Sequence, residues 1–388
     1  MKWLLIAILT ICIFGRCKEK YVSPANTPAT GYLVVEGVIN VGSGTTNIVL
    51  KRTTKLDSTS ILYEKGATVF VEGENNTKFN LQESSIGNYS ATGLSLNNAI
   101  KYRLNILTLD GKKYQSDFVP VQATPTIDSV SWKQDSLGAH LFINTHDHSN
   151  QIKYYQWDYS ETWEYHSPFI TYFIYVPINT PTGIKYSIWF RDPIMVSFDT
   201  TIITCWQNDY SNNILTGSTI SLSESKINLP LTFIPTGSVK LAVLYSINTR
   251  QYSLSEGKYN FLQKMKRNNQ ATGTVFDAQP SELVGNIHCM TNPSDPVIGY
   301  IDICQIQENR TFIKNSQLID WGYKAPCREV EVESSIDSFT YMHTQGFVPT
   351  REGRMGRIYG PPGTLWFATP VCVDCTLTGT NKRPTFWP

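Results

Sequence analysis

Residues 31–54, GYLVVEGVINVGSGTTNIVLKRTT, decide the fold class. A strand is predicted from Tyr32 to Val41, a Gly-Ser-Gly turn follows, and a second strand runs from Asn47 to Thr54. The device repeats downstream. ATVFVEGENNTKFNLQE, residues 67–83, predicts strands over Thr68–Glu72 and Lys78–Gln82 joined by a Gly/Asn turn. KYRLNILTLDGKKYQSDFVPV, residues 101–121, places two strands around Asp110-Gly111, a strong hairpin signal. Seven or so short strands in this span predict a sandwich over residues 31–122.

Composition agrees with an all-β chain. Thr, Ser, Asn and β-branched residues are abundant, and 12% of the 388 residues are aromatic, with 21 Tyr and 9 Trp. The formal net charge is +1 and only 17% of residues are charged, so no electrostatic footprint for nucleic acid is present.

Outward from this core, the N-terminus reads as an export signal. Trp3–Phe14 is a short apolar run behind Lys2, too short to span a bilayer. Phe14-Gly15-Arg16-Cys17 resembles a bacterial lipobox, with Arg16 where that pattern prefers a small residue. This predicts a signal peptide over 1–16, lipid attachment at Cys17 and a Pro-containing tether over 17–30. The implied location is the outer membrane, periplasmic or cell-surface side left open. Each buried acyl methylene contributes about 0.8 kcal/mol, so several chains anchor firmly.

Cysteine parity supports the lipid reading. With Cys12 removed and Cys17 acylated, Cys205, Cys289, Cys304, Cys327, Cys372 and Cys375 remain as an even set of disulfide candidates. Cys327 is an attractive partner for Cys372 or Cys375, and Cys205 with Cys289 is another plausible pair. The connectivity stays open.

QATPTIDSVSW, residues 122–132, reads as a linker into a second sandwich over 125–314. Its strands AHLFINTH and KYYQWDYSETWEY follow in a fibronectin-III-like order. Prolines from Pro168 to Pro235 predict an irregular insertion over 167–235. One helix is predicted over 253–268, with Ser253 and Glu256 as a capping box and Tyr259, Leu262 and Met265 on one face. Residues 315–388 read as an irregular, disulfide-bearing tail.

Candidate sites are few. His146-Asp147-His148 has the spacing of two imidazoles on one side of a strand, yet reads as an exposed loop in which His146 joins a hydrogen-bond network. The stretch 154–175, YYQWDYSETWEYHSPFITYFIY, is ten-twenty-seconds aromatic. Tyr155, Trp157 and Tyr159 fit a core face. Trp163, Tyr165, Phe169, Tyr172, Phe173 and Tyr175 are candidates for contact with a partner or with a small-molecule, peptide or glycan ligand, weighed against packing. Glu161 and Glu164 could supply a carboxylate pair of the kind glycosidases use, but neighbours in a strand usually point to opposite faces. No hydrolase, P-loop or dinucleotide motif occurs, so no catalytic residue, metal or cofactor is assigned.

Further resemblances involve whole phrases. GNYSATGLSLNNAIKYRLNI resembles transthyretin-like and carboxypeptidase-regulatory-like modules, implying an Ig-like or transthyretin-like first sandwich. The lipobox, YLVVEGVIN, DSVSW, TCWQND, PLTFIP, GNIHC, NPSDPVIGY, CVDC and GTNKRPTFW together resemble a Bacteroidetes-type envelope lipoprotein family, domain of unknown function four-two-four-nine. That resemblance implies a binding or accessory subunit for a TonB-dependent outer-membrane transporter of nutrients. A structural or adhesive surface protein is the alternative, and a hydrolase a third.

Overall fold

The computed structural model describes residues 31–54, 60–191, 199–270, 283–353 and 363–388. The signal peptide, Cys17 and the tether lie outside the described residues. The chain is predominantly β.

The first unit contains β1 (Leu33–Asn40), β2 (Thr45–Arg52), β3 (Leu62–Tyr63), β4 (Thr68–Gly73), β5 (Lys78–Ser85), β6 (Asn88–Thr92), β7 (Lys101–Leu107), β8 (Lys113–Ser116) and β9 (Val119–Gln122). Alternation on β1 turns Leu33, Val35 and Ile39 inward and Val34, Glu36 and Val38 outward. Gly37 breaks the row at φ +142°, where a Cβ would lie 2.5 Å from the Asn47 carbonyl, so only glycine lets β2 pair there.

The second unit uses β10 (Ile127–Gln134), β11 (Gly138–His146), β12 (Tyr154–His166), β13 (Phe173–Thr180), β14 (Gly183–Phe190), β15 (Thr204–Tyr210), β16 (Leu215–Ser218), β17 (Lys226–Pro235) and β18 (Leu244–Ser253), then α1 (Glu256–Gln270). Beyond α1 come β19 (Ile287–Cys289), β20 (Val297–Gly299), β21 (Ile303–Cys304) and β22 (Gln307–Lys314). The chain closes with β23 (Val330–Glu333), α2 (Ile336–Thr344), β24 (Val348–Glu352) and β25 (Thr364–Ala368).

The first unit is a closed barrel, not the expected open sandwich. Strands run β7-β4-β5-β6-β2-β1-β21-β9, and β9 returns to pair β7 at Lys101↔Pro120 and Tyr102↔Val119. β21 lies parallel between β1 and β9, and β19 and β20 add to β8 and β1. Residues 287–304, inside the span assigned to the second sandwich, therefore return to the first core. Ile287, Val297, Ile301 and Ile303 are buried with Leu33, Val71, Tyr102 and Leu104. Closure satisfies the edge groups that an open sheet would leave unpaired.

In the second unit, β10-β11-β17 forms one sheet and β15-β12-β18-β22 another, with β16 beside β12. Leu141, Ile143 and Ile234 from the first share one core with Trp157, Trp163, Tyr245 and Ile313 from the second. Trp157 satisfies its indole N–H on Gln251 at 2.8 Å, which lets a large polar-tipped ring be fully buried.

The insertion and the tail are ordered by each other. β13 pairs β14 over eight residues, and β23-β25-β24 forms a small sheet beside α2, a second helix that the sequence reading lacks. Phe173, Met342, Leu365 and Phe367 make their common core. Two separately irregular-looking segments each supply half of an apolar interior.

Candidate functional site

The cleft lies where the barrel meets the second unit. β1 and β2 turn outward Val34, Glu36, Val38 and Asn47, and the non-core face of β12 and β18 presents Gln156, Asp158, Arg250 and Tyr252. α1 roofs the space with Lys258, Phe261, Leu262 and Met265, while Ile298 and Tyr300 flank it. The volume is about 450 Å³, within the range of small-molecule sites, which favour such domain interfaces.

α1 starts here for local reasons. The Ser255 hydroxyl accepts from the Lys258 backbone N–H at 3.1 Å, the bond of an N-cap. The cap is thus Ser255, not Ser253, which is buried in β18. Ser255 is itself held by Asp302, whose carboxylate accepts its backbone N–H at 2.7 Å and its hydroxyl at 2.8 Å. Tyr259, Leu262 and Met265 do share the packed face. Gly257 is required because a Cβ there would collide with the Tyr300 ring.

Lys258 is 7% exposed, and its ammonium donates to the Tyr300 carbonyl at 2.5 Å. Desolvation pushes its pKa down to about 8 despite nearby Asp302. Burial raises the Asp302 carboxyl, and burial pushes the Cys304 thiol up to about 12, leaving that thiol inert. Across the cleft the Arg250 guanidinium donates to Asp158 at 2.6 Å, and the Tyr252 hydroxyl donates to the other Asp158 oxygen at 2.8 Å. The buried Gln156 side-chain oxygen has no hydrogen-bond partner among the described residues. The cleft therefore offers a buried amine tied to a carbonyl, an Arg250–Asp158 ion pair, the Glu36 carboxylate, an open acceptor and an apolar wall.

None of these groups stood out in the sequence. Period 2 puts Gln156, Asp158, Arg250 and Tyr252 on outward faces, but nothing in the order of residues says that the barrel covers them.

The sequence-derived candidates go elsewhere. Trp163 and Phe173 are buried, and Tyr165, Phe169, Tyr172 and Tyr175 are partly buried, so the aromatic stretch is packed rather than displayed. The Tyr165 hydroxyl donates to the Cys375 carbonyl at 2.7 Å, and the Tyr175 hydroxyl to the Phe347 carbonyl at 2.9 Å. Phe169 packs on the cluster of Ala368, Cys372 and Val373, and Tyr172 on the core of Phe173, Met342, Leu365 and Phe367. The stretch looked excessive only because the tail that it covers is remote in sequence.

Glu161 and Glu164 are separately engaged. The buried Glu161 carboxylate accepts from Lys240 and Tyr245, each at 2.6 Å, and Glu164 accepts from the Trp387 indole at 2.9 Å. The two carboxylates are thus held by different partners.

Four of the six candidate cysteines are bonded, Cys205 to Cys375 and Cys327 to Cys372. The Cys327–Cys372 pairing matches the expectation; the Cys205–Cys289 pairing does not occur. Cys289 and Cys304 are buried free thiols, each held within strands that join the barrel. Asp147 fastens the loop after β11 by accepting from the backbone N–H of Ser149, Gln151 and Ile152. His146 meets Asp128 at 2.6 Å, the hydrogen-bonded role read for it. Among the described residues, no three His, Cys, Asp or Glu side chains gather to hold a metal ion, and no helix is long and apolar enough to cross a membrane.

No curated protein matches the chain. The family model for the domain of unknown function DUF4249 matches residues 19–310. That span holds every strand of the barrel, the second unit up to β22 and every residue of the cleft. The chain belongs to the domain-of-unknown-function family DUF4249.

Proposed function

We propose that this protein is a lipid-anchored outer-membrane lipoprotein, attached through Cys17, that binds a small molecule in the interdomain cleft as an accessory subunit of a TonB-dependent nutrient transporter. The cleft carries the reading. Its size fits a small ligand, Phe261, Leu262 and Met265 suit an apolar body, and Glu36, Asp158, Arg250 and Lys258 give it a rim of mixed charge suited to a polar group. A donor on the ligand would satisfy Gln156. The three-stranded and larger sheets around one core support a fibronectin-III-like reading of the second unit.

Full-length protein purified from membranes in mild detergent tests the partnership. A β-barrel transporter recovered at near-equal amounts supports it; recovery of the protein alone favours an adhesive or structural role. Cys17→Ser should move the protein into the soluble fraction, and acyl labelling that survives this substitution defeats the anchor assignment.

A further inference from the structure

A second constellation lies at the end of the β10-β11-β17 sheet, which does not line the cleft. β11 ends at His146, and the loop that follows returns His148 toward it. The two Nε2 atoms are 2.5 Å apart, with the rings nearly perpendicular at 82°. His146 Nδ1 faces the Asp128 carboxylate at 2.6 Å. Asp128 reaches it because the β10–β11 register shifts between Ile127 and Ser129, a bulge that re-aims the intervening side chain.

This order of contacts has a chemical consequence. A carboxylate on Nδ1 holds the proton there, so the Nε2 of neutral His146 carries its lone pair. That lone pair accepts a hydrogen bond from His148 Nε2–H, and a metal ion held by both nitrogens would take the place of the shared proton, which leaves to water. Two imidazole nitrogens converging on one point, one backed by a carboxylate, form half of a transition-metal coordination sphere. Metal–nitrogen bonds of about 2.0–2.1 Å at a tetrahedral angle need nitrogens roughly 3.3 Å apart. The exposed His148 ring reaches that separation by opening less than about 1 Å, while Asp147 keeps the loop backbone fixed through Ser149, Gln151 and Ile152.

The surroundings favour a cation. Asp128, Asp147 and Glu224 line the same open cavity of about 610 Å³ against Lys226. We propose that His146 and His148 bind one divalent transition-metal ion of the copper–zinc class, with Asp128 orienting His146 and the remaining coordination positions left to water or an exogenous ligand. Copper(II) should bind more tightly than zinc, following the usual order for imidazole donors. The proposal does not depend on the cleft or on the transporter.

Titration of the full-length protein with Cu²⁺ and Zn²⁺, in competition with a chromophoric chelator, tests it. One equivalent should bind saturably, and the Cu²⁺ electron paramagnetic resonance spectrum should show coupling to two imidazole nitrogens. His148→Ala should lose the two-nitrogen signature, and Asp128→Asn should weaken binding about 10-fold or more with the signature kept. The absence of saturable binding overturns the proposal. So does an unchanged spectrum in His148→Ala, which would place the ion on other histidines. Both positions are at the surface, so folding of the variants is checked by an unchanged thermal midpoint without metal.

Discussion

Cys205 is joined to Cys375 across 170 residues, stitching the 3-10 turn Cys375–Leu377 onto the edge strand β15 of the second unit. The Trp206 and Thr380 backbones exchange two hydrogen bonds beside it, at 2.8 and 3.0 Å. The Trp387 ring packs edge-on against Trp206 and Phe312. The C-terminal segment is thereby part of the second unit, not a loose appendage.

Opening that link should be costly. Loss of a native disulfide removes about 2–5 kcal/mol. Cys205→Ser/Cys375→Ser should lower stability by that order, with hydrogen exchange rising first in residues 364–388 and 204–210. Exchange that rises uniformly would contradict a local tether. Thiol labelling after unfolding without reductant should modify Cys289 and Cys304 and spare the other four cysteines of this set; labelling of all six refutes the pairing.

Phe173 and Trp189 separate packing from display. Phe173 is 6% exposed in the core that it shares with Met342, Leu365 and Phe367, and Trp189 is 62% exposed on the neighbouring strand. Phe173→Ala should cost about 3–5 kcal/mol, whereas Trp189→Ala should stay within about 0.5 kcal/mol. Denaturant midpoints decide. Equal, small effects would return the aromatic stretch to the surface.

Lys258 predicts a pH dependence. Below pH 8 the amine is charged in both folded and unfolded chains, and burying it costs about 3 kcal/mol for a fall from 10.5 to about 8. Between pH 8 and about 10 the unfolded chain holds a proton that the folded chain has lost, so stability rises with pH. Above that, the buried Tyr252 and Tyr245, both raised chiefly by burial, reverse the trend because unfolded tyrosines ionise first. Lys258→Met should abolish the rise, read as the difference in unfolding free energy between wild type and variant from pH 7 to 10. A constant difference would mean that the amine is hydrated.

Glu161 and Lys240 should behave as a coupled pair. The Glu161 side chain is 4% exposed, so Lys240→Met leaves a nearly buried carboxylate with Tyr245 alone and should cost about 3 kcal/mol. Adding Glu161→Gln should recover part of that loss. A double variant as unstable as the sum of the single variants would show that the two groups do not interact.

Much of the secondary structure was readable because period 2 and turn chemistry are local. Asp110-Gly111 does sit in the turn between β7 and β8, with Gly111 at φ +82°, and β1 and β2 pair antiparallel around the Gly-Ser-Gly turn. β18 begins at Leu244, after a single 3-10 turn over Val239–Leu241. The site was hardly readable at all. Gln156 and Asp158 looked like ordinary solvent-face residues of β12, and Lys258 looked like a helix-surface lysine. Their meaning comes from what covers them.

The amino-acid order alone determined an all-β chain with its hairpins, the helix that roofs the cleft and the residues that each strand turns to one side. It also carried the family resemblance and offered Cys327 as a partner for Cys372 or Cys375, with the connectivity left open. Only the tertiary structure decided that β21 closes a barrel with β1 and β9, that Cys205 takes Cys375, and that outward faces of two units enclose Lys258. Alternation specifies that a face must be covered, but apolar burial is non-directional and does not name the cover. That choice is made among segments separated by more than a hundred residues, where shape and hydrogen-bond closure, not local pattern, select the partner.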